Sequence, residues 1–470
     1  MNDTYELAVI GTGPAGMEAA IIASESGVKT VVIDNYPQAG GQYFKALPAA
    51  FSSSQKSKTE KDGDFLAERL AKLPATRLYN TLVWGIFDEE NEQGWLLTLY
   101  GPDAPKEIHA RMLVLANGAY ETPVAFPGWT LPGVIGCGAA LTLVKTQRVT
   151  PGKRALVTGT GPLLFSAAAH LIEAGVEVVD VCEASHVLPK GILYGPTMLG
   201  QWNRLVEGAK YLNIMRKGKT FYKTGWSILE AHGKDHVEEA VIVKVDDNSV
   251  PIPGTQKIVK VDTVVTGYGL MPNIDLARLI GCKLEYEPKK GGWVPARDGT
   301  LQTSLPGVYA AGDGAGIGGA ENSRLEGKIA GISVALKSGH LTGVKAGELT
   351  QQLQPELAQQ RRFGRLLGDL FSPKPGLASL AHDDTLICRC EEITKKEILA
   401  AIADGCESVI WVKRKTRAGM GLCQGRSCGR YVAQLIAQQT GKDPALLVPD
   451  TQRPPVRPIP LEILEERHTP

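Results

Sequence analysis

Apolar runs and glycine turns alternate along the first two thirds of the chain, and their spacing predicts strands that feed helices. ELAVIG reads as a short strand, MEAAIIASESG as a helix, and KTVVID as a second strand ending at Asp34. The same order returns in RALVTGTGPLLFSAAAHLIEAGVEVVDVCEAS. Further on, VDTVVTGYGLMPN predicts a strand running into a Gly-rich turn, TSLPGVYAAGDGAG a strand ending at Gly312 and Asp313, and ENSRLEGKIAGISVALKSG a helix. Strands alternating with helices in this way predict an α/β fold with parallel sheets. Residues 346–382 form a polar, Gln-rich helical connector that ends at Pro373 and Pro375; QQLQPELAQQ predicts a broken amphipathic helix, because Leu and Phe recur at helical spacing after Arg362. The stretch 449–470 carries six prolines and predicts an extended tail lying on a surface or a partner.

Composition adds limits to this pattern. A chain of 470 residues exceeds the size at which one core keeps growing, so several domains are expected. A formal net charge of +1 gives the whole chain no bias toward nucleic acid or an anionic membrane. MNDTYELAVIG has early acids and no basic leader, and GPLLFSAAAHLI is too short to span a bilayer, so a cytoplasmic chain without a transmembrane segment is expected. There is no Ser-His-Asp order and no His pair at metal spacing; His170 lies in an apolar helix, where a satisfied core histidine is expected, and no catalytic residue is assigned.

The first strand opens into Gly11-Thr12-Gly13-Pro14-Ala15-Gly16, with Asp34 about 20 residues on: a dinucleotide fingerprint in the context it requires. Gly11 makes the tight turn, Gly13 lets a pyrophosphate approach the backbone, and Gly16 lets the helix pack on the strand, while the helix N-terminus supplies amide donors. The second segment has Gly159, Gly161 and the acid Glu183, but Leu164 replaces the third glycine. That leucine would push the helix off the strand or force repacking, so the second fold is expected to stand with or without a nucleotide. If one binds, Glu183 favours NAD over NADP.

With the AAGD motif and the helix after it, the chain resembles the two-dinucleotide-binding-domain flavoproteins of the glutathione-reductase-like superfamily, over roughly residues 5–340. The resemblance implies FAD held by Gly11, Gly13, Pro14, Ala15, Gly16, Asp34, Gln42, Gly118, Gly312, Asp313 and Leu325, with LVLANGA marking where the chain leaves the FAD domain. It departs from the disulfide reductases of that superfamily: NYPQAGGQYFKALP has Gln42 where thiols would be needed, and Cys137 has no C-x-x-C partner. Thiol-disulfide exchange is not expected.

Four of the eight cysteines remain to be explained. Cys388 and Cys390 form C-x-C, and after thirty-two residues Cys423 and Cys428 form C-x-x-x-x-C; Cys137, Cys182 and Cys282 read as buried thiols and Cys406 as a bystander. Zinc sites usually pair ligands two to four residues apart within each half, so this spacing is not the usual zinc pattern, although zinc stays open as the rival. Iron-sulfur clusters need thiolates in an amide-rich pocket, and Gly419, Gly421, Gly425 and Gly429 surround the second pair. The segment resembles the bacterioferritin-associated-ferredoxin-like domain, which implies a 2Fe-2S cluster on the four thiolates and EITKKEILAAIADG as one helix between the halves. The basic run from Lys413 to Arg417 reads as a solvated face, as an offset to cluster charge, or as a holder for an FMN phosphate.

The order of parts resembles the larger flavoprotein chain of the opine oxidase, hydroxyproline dehydrogenase and hydrogen cyanide synthase group. The resemblance implies an FAD-binding domain at 1–130 and 261–345, an NAD-binding-like domain at 131–260, the connector, a small helical 2Fe-2S domain at 383–448 and the Pro-rich tail. It also implies a smaller, FAD-containing, glycine-oxidase-like partner that oxidises a C–N bond, room for a third small subunit, FMN at a subunit boundary, and an electron acceptor, which could be respiratory and membrane-bound. An amine oxidation delivers two electrons and a 2Fe-2S centre accepts one, so a chain with both flavin and cluster would convert between them. The other readings are a self-contained NAD(P)H-dependent flavin oxidoreductase feeding the cluster, and a scaffold whose FAD is structural.

Overall fold

A computed structural model describes residues 4–45, 57–89, 94–187 and 202–465, so residues 1–3 of the FAD-binding segment and 466–470 of the Pro-rich tail lie outside the described residues. The chain divides into two compact units, one built from residues 1–120, 271–364 and 451–470, the other from 121–270 and 365–450.

In the first unit, β1 (Thr4–Ile10), β2 (Thr30–Ile33), β3 (Thr76–Leu78), β4 (Leu82–Glu89), β5 (Gly94–Tyr100) and β6 (Glu107–Leu115) lie in the order β3-β2-β1-β6-β5-β4. The first four in that order run parallel, and β5 and β4 return antiparallel. One edge of β6 takes β1; the other is shared, with β5 on its N-terminal half and the parallel strand Val308–Ala310 on Leu113–Leu115. Leu7, Ala8 and Val9 are fully buried, as expected of a parallel strand covered on both faces. The helix α1 (Pro14–Glu25) starts with proline in its first turn, where the missing N–H costs nothing, and carries no acid there. It crosses the helix Ala320–Lys337 through small residues: a β-carbon on Gly327 would come within 2.2 Å of the Ala15 carbonyl, and one on Gly331 within 2.7 Å of the Ala19 carbonyl. Two glycines four apart thus face two alanines four apart. Part of the tail also belongs to this unit: Val456 is buried, and its amide donates to the Trp84 carbonyl at 2.9 Å.

The second unit contains a five-stranded parallel sheet in the order Phe221–Thr224, Glu177–Glu183, Arg154–Gly159, Thr263–Gly267, Val134–Gly136, with a three-stranded antiparallel sheet beside it. Its cysteine module comprises a short pairing of Leu386–Cys388 with Ile393–Thr394 and the helices Lys395–Ala403, Val409–Thr416 and Gly429–Thr440. Two helices therefore stand between the cysteine pairs, where the sequence suggested one. The first has a capping box of Thr394 and Glu397 and stops at Gly405, whose φ of 92° ends a helix readily; Ser408 then caps the second. One hydrophobic core runs through both parts of this unit, joining Phe126, Trp129, Leu156 and Val264 to Ile387, Ile398, Val412 and Leu435.

The connector corrects another expectation. Gly343–Phe371 is a single helix that passes through Pro355 without a break. Pro355 is exposed, so water can serve the carbonyl that loses its partner, while Leu357, Phe363, Leu366 and Leu370 keep a buried stripe. The helix ends at Phe371, two residues before Pro373.

Candidate functional site

The fingerprint turn, the loop after it, and the Gly312–Ala315 turn meet in the first unit. Gly11 has a φ of 98°, and a β-carbon there would strike the Ala116 carbonyl at 2.4 Å; one on Gly16 would lie 1.8 Å from the Gly11 carbonyl, so α1 rests directly on the turn. A β-carbon on Gly13 would meet no atom of the described residues within 4 Å, and the same holds for Gly118. Gly13 therefore presents backbone to open space at the N-terminus of α1, which has no side-chain cap. That is the cradle a pyrophosphate needs. Asp34 is nearly buried; its Oδ2 accepts from the amide and hydroxyl of Thr12, both at 2.6 Å, and its Oδ1 from the Tyr36 amide at 2.9 Å. Three of about four acceptor positions are thus used in holding the turn, which leaves one for a ribose hydroxyl.

Gly312 packs against Ala15, with a built β-carbon 2.8 Å from that methyl, and Gly314 packs against the backbone of Gly118. Asp313 Oδ1 accepts from the amides of Gly318 and Gly319 at 2.9 and 3.0 Å. Burial pushes the Asp313 carboxyl above its ordinary value against the pull of those amides. The Gly312 amide donates to Glu326 at 3.0 Å, and Arg297 clamps Glu326 with two bonds of 2.8 and 3.0 Å. Burial alone would raise the Glu326 carboxyl, but the Arg297 guanidinium outweighs it and holds the group below the ordinary carboxylate range. Gly11, Gly13, Pro14, Ala15, Gly16, Asp34, Gly118, Gly312 and Asp313 thus belong to one neighbourhood. Gln42 is exposed and donates to the Tyr36 hydroxyl. Leu325 stands apart, 3% exposed in the core beneath α1. Gly41 was missed: a β-carbon on it would come within 2.7 Å of the Gly13 α-carbon, so the GG of QAGGQY packs on the turn. Glu326 was also missed: between Arg324 and Lys328 it reads as a surface charge, and only the fold brings Arg297 to it.

The four cysteines of the module stand as two neighbouring pairs, Cys388 beside Cys428 and Cys390 beside Cys423. Cys428 donates to Cys388, which draws the Cys388 thiol down to about 5 against burial and pushes Cys428 up. Burial raises Cys423, but the Ser427 amide and the Cys390 thiol outweigh it and hold Cys423 below its ordinary value. Amides of Gly419, Glu391 and Cys390 also point at Cys388, and that of Gly425 at Cys423. No three His, Cys, Asp or Glu side chains among the described residues gather closely enough to hold a single ion. Four thiols in an amide-rich pocket suit a two-iron cluster with two thiolates to each iron. Cys388 and Cys428 are buried, Cys423 is half-buried and Cys390 exposed.

Other thiols are inert by position. Cys137 is fully buried, and burial pushes its thiol well up. The basic run is largely paired: Lys413 with Asp450, Lys415 with Asp404 at 3.3 Å, and Arg417 with Glu391 at 2.8 Å, while Arg414 lies over Trp411. His170 hydrogen-bonds the Ser166 carbonyl at 2.7 Å, and burial lowers its pKa.

Residues 5–339 match the family of pyridine nucleotide-disulphide oxidoreductases, and residues 386–438 the BFD-like 2Fe-2S binding domain. The chain belongs to the pyridine nucleotide-disulphide oxidoreductase family. This oxidoreductase is 31% identical to a subunit of opine oxidase from Agrobacterium tumefaciens (strain Ach5), over 100% of the chain and 93% of the relative. It is also 31% identical to the HcnB subunit of hydrogen cyanide synthase from Pseudomonas protegens, over 96% of each. Among solved structures, L-proline dehydrogenase from P. horikoshii shares the fold, with a TM-score of 0.70 at 21% identity over 98% of this chain and 79% of that one. This oxidoreductase therefore combines an FAD-type flavoprotein fold with a 2Fe-2S domain. No helix among its described residues is long and apolar enough to cross a membrane.

Proposed function

We propose that the chain is the electron-transferring subunit of a multi-subunit dehydrogenase whose partner, a smaller FAD-containing, glycine-oxidase-like subunit, oxidises a C–N bond of an amino acid or opine. The observation that carries this reading is the joint presence, in one chain, of the open Gly13 cradle and the two thiol pairs. Bound there, FAD would accept an electron pair and 2Fe-2S would pass electrons on singly.

The chain's own groups have distinct tasks in this scheme. Gly13 and the uncapped start of α1 would receive the pyrophosphate, and Asp34 a ribose hydroxyl. Asp313, fixed by the Gly318 and Gly319 amides, would face the ribityl chain, while Arg297 and Glu326 hold the turn that carries it. Cys388, Cys390, Cys423 and Cys428 would bind the two irons, with amide donors stabilising negative charge on the sulfurs. In the Lys413–Arg417 run, where an FMN phosphate at the partner boundary would sit, Lys413, Lys415 and Arg417 form ion pairs and Arg414 lies over Trp411.

The test is turnover with a dye acceptor on amino-acid and opine substrates. The purified chain alone is expected to be inactive and to gain activity when its glycine-oxidase-like partner is added. Full turnover by the chain alone sinks the proposal.

A further inference from the structure

Two turns in this chain have the same four residues. Gly11-Thr12-Gly13-Pro14 and Gly159-Thr160-Gly161-Pro162 each follow a parallel strand and lead into a helix, but the middle glycines differ in backbone, with φ −71° at Gly13 and 107° at Gly161. Their surroundings differ. A β-carbon on Gly13 would meet no described protein atom within 4 Å, whereas one on Gly161 would lie 3.7 Å from Cβ and 3.9 Å from Cγ of Phe371. In the first turn the Thr12 hydroxyl turns inward to Asp34; in the second the Thr160 hydroxyl is 3.2 Å from the Phe371 carbonyl and 2.8 Å from the Ser185 hydroxyl. The Gly161 amide donates to Glu183 at 2.9 Å, and Glu183 is fully buried, so its carboxylate does not reach a surface where a ribose could meet it.

The segment that covers Gly161 has its own anchors. Pro373 lies 3.9 Å from the β-carbon position of Gly269, just beyond the strand next to the turn. The Pro375 carbonyl accepts from Gln434 at 2.9 Å and Gln438 at 3.1 Å, and the Ala378 carbonyl from the Tyr431 hydroxyl at 2.7 Å. Gln434, Gln438 and Tyr431 all belong to the Gly429–Thr440 helix, which follows directly on Cys428. Leu164, at the third glycine position, is accommodated because Gly267 leaves room: a β-carbon there would be 3.1 Å from the leucine methyl.

We infer that the second dinucleotide turn is an anchor for the cysteine module and not a nicotinamide-nucleotide site, with Phe371 seated where a pyrophosphate would approach. A pyrophosphate must come within hydrogen-bonding distance of the middle glycine, and Phe371 and the Glu183 bond already take that position. The inference is independent of the partner reading: the chain could prove active alone with an amine and still refuse NADH.

The test uses the full chain loaded with flavin and iron. Titration with NADH and with NADPH to millimolar concentration, followed by tryptophan fluorescence and flavin absorbance, is expected to give no saturable change and no bleaching. Saturable binding or bleaching by either overturns the inference. In parallel, Thr160→Val and Phe371→Ala are compared with the parent by hydrogen exchange. Exchange at Gly376 and Leu377 is expected to rise by about tenfold, with flavin content unchanged. Unchanged exchange in Thr160→Val overturns the anchoring role, and that variant decides the matter if Phe371→Ala does not fold.

Discussion

The backbone amide of Gly312 donates to Oε2 of Glu326, and Arg297 donates to both oxygens of the same carboxylate. Removing the charge with Glu326→Gln leaves Arg297, whose side chain is only 13% exposed, without its charged partner, which should cost about 3 kcal/mol. Urea unfolding at neutral pH measures this loss, and flavin release should follow it because the same turn carries Asp313.

The pH dependence of this pair has a definite sign. The folded Glu326 carboxyl sits below its ordinary value, so its contribution is complete above the unfolded pKa and disappears as pH falls through the lowered folded value. Stability of the parent should therefore decline on acidification below about pH 4.5, the ordinary value for a glutamate in an unfolded chain. Glu326→Gln should show a shallower acid limb; an identical slope would remove Glu326 from the account.

Gly13 and Gly16 should fail differently when changed to alanine. Gly16→Ala puts a carbon 1.8 Å from a carbonyl oxygen and should lower the melting temperature sharply. Gly13 has an extended backbone, with φ −71° and ψ −172°, that alanine adopts freely. Gly13→Ala should therefore fold with little loss of stability, yet purify with much less FAD, as read from the ratio of flavin to protein absorbance.

Replacing any one of Cys388, Cys390, Cys423 or Cys428 by serine should abolish the full complement of two irons and two sulfides. Cys406→Ser, a change in the module's core away from the four thiols, should keep it. Iron and labile sulfide assays with electron paramagnetic resonance after dithionite check this, and zinc without sulfide in the parent would refute the cluster assignment.

Trp129 ties the Cys388 segment to the rest of its unit. Its indole N–H donates to the Leu386 carbonyl at 2.7 Å, and Arg389 lies over its ring at 5.2 Å. Trp129→Phe should weaken that attachment by about 1–2 kcal/mol. Loss of iron to a chelator should become several times faster.

The parallel strands, the first fingerprint and the four module cysteines could be read directly from the sequence, because each is a local pattern: alternating elements, glycines at fixed offsets, thiols at fixed spacing; that the thiols pair across the two halves could not. Their physical causes act within one turn or one strand. What remained hidden depended on residues distant along the chain. Leu164 looked like a misfit until Gly267, in another strand, supplied the space. The basic run looked available until Asp404, Asp450 and Glu391 were found to pair with it. Two GTGP turns of identical sequence differ in backbone, with φ −71° at Gly13 and 107° at Gly161, and in surroundings, since the β-carbon direction of Gly13 is open and that of Gly161 faces Phe371, more than 200 residues away. Glycine admits both signs of φ, so the sequence alone determined that a tight turn could follow each strand, though not which conformation it would take. What can reach each turn is set by packing, and only the tertiary structure decided which one remains open.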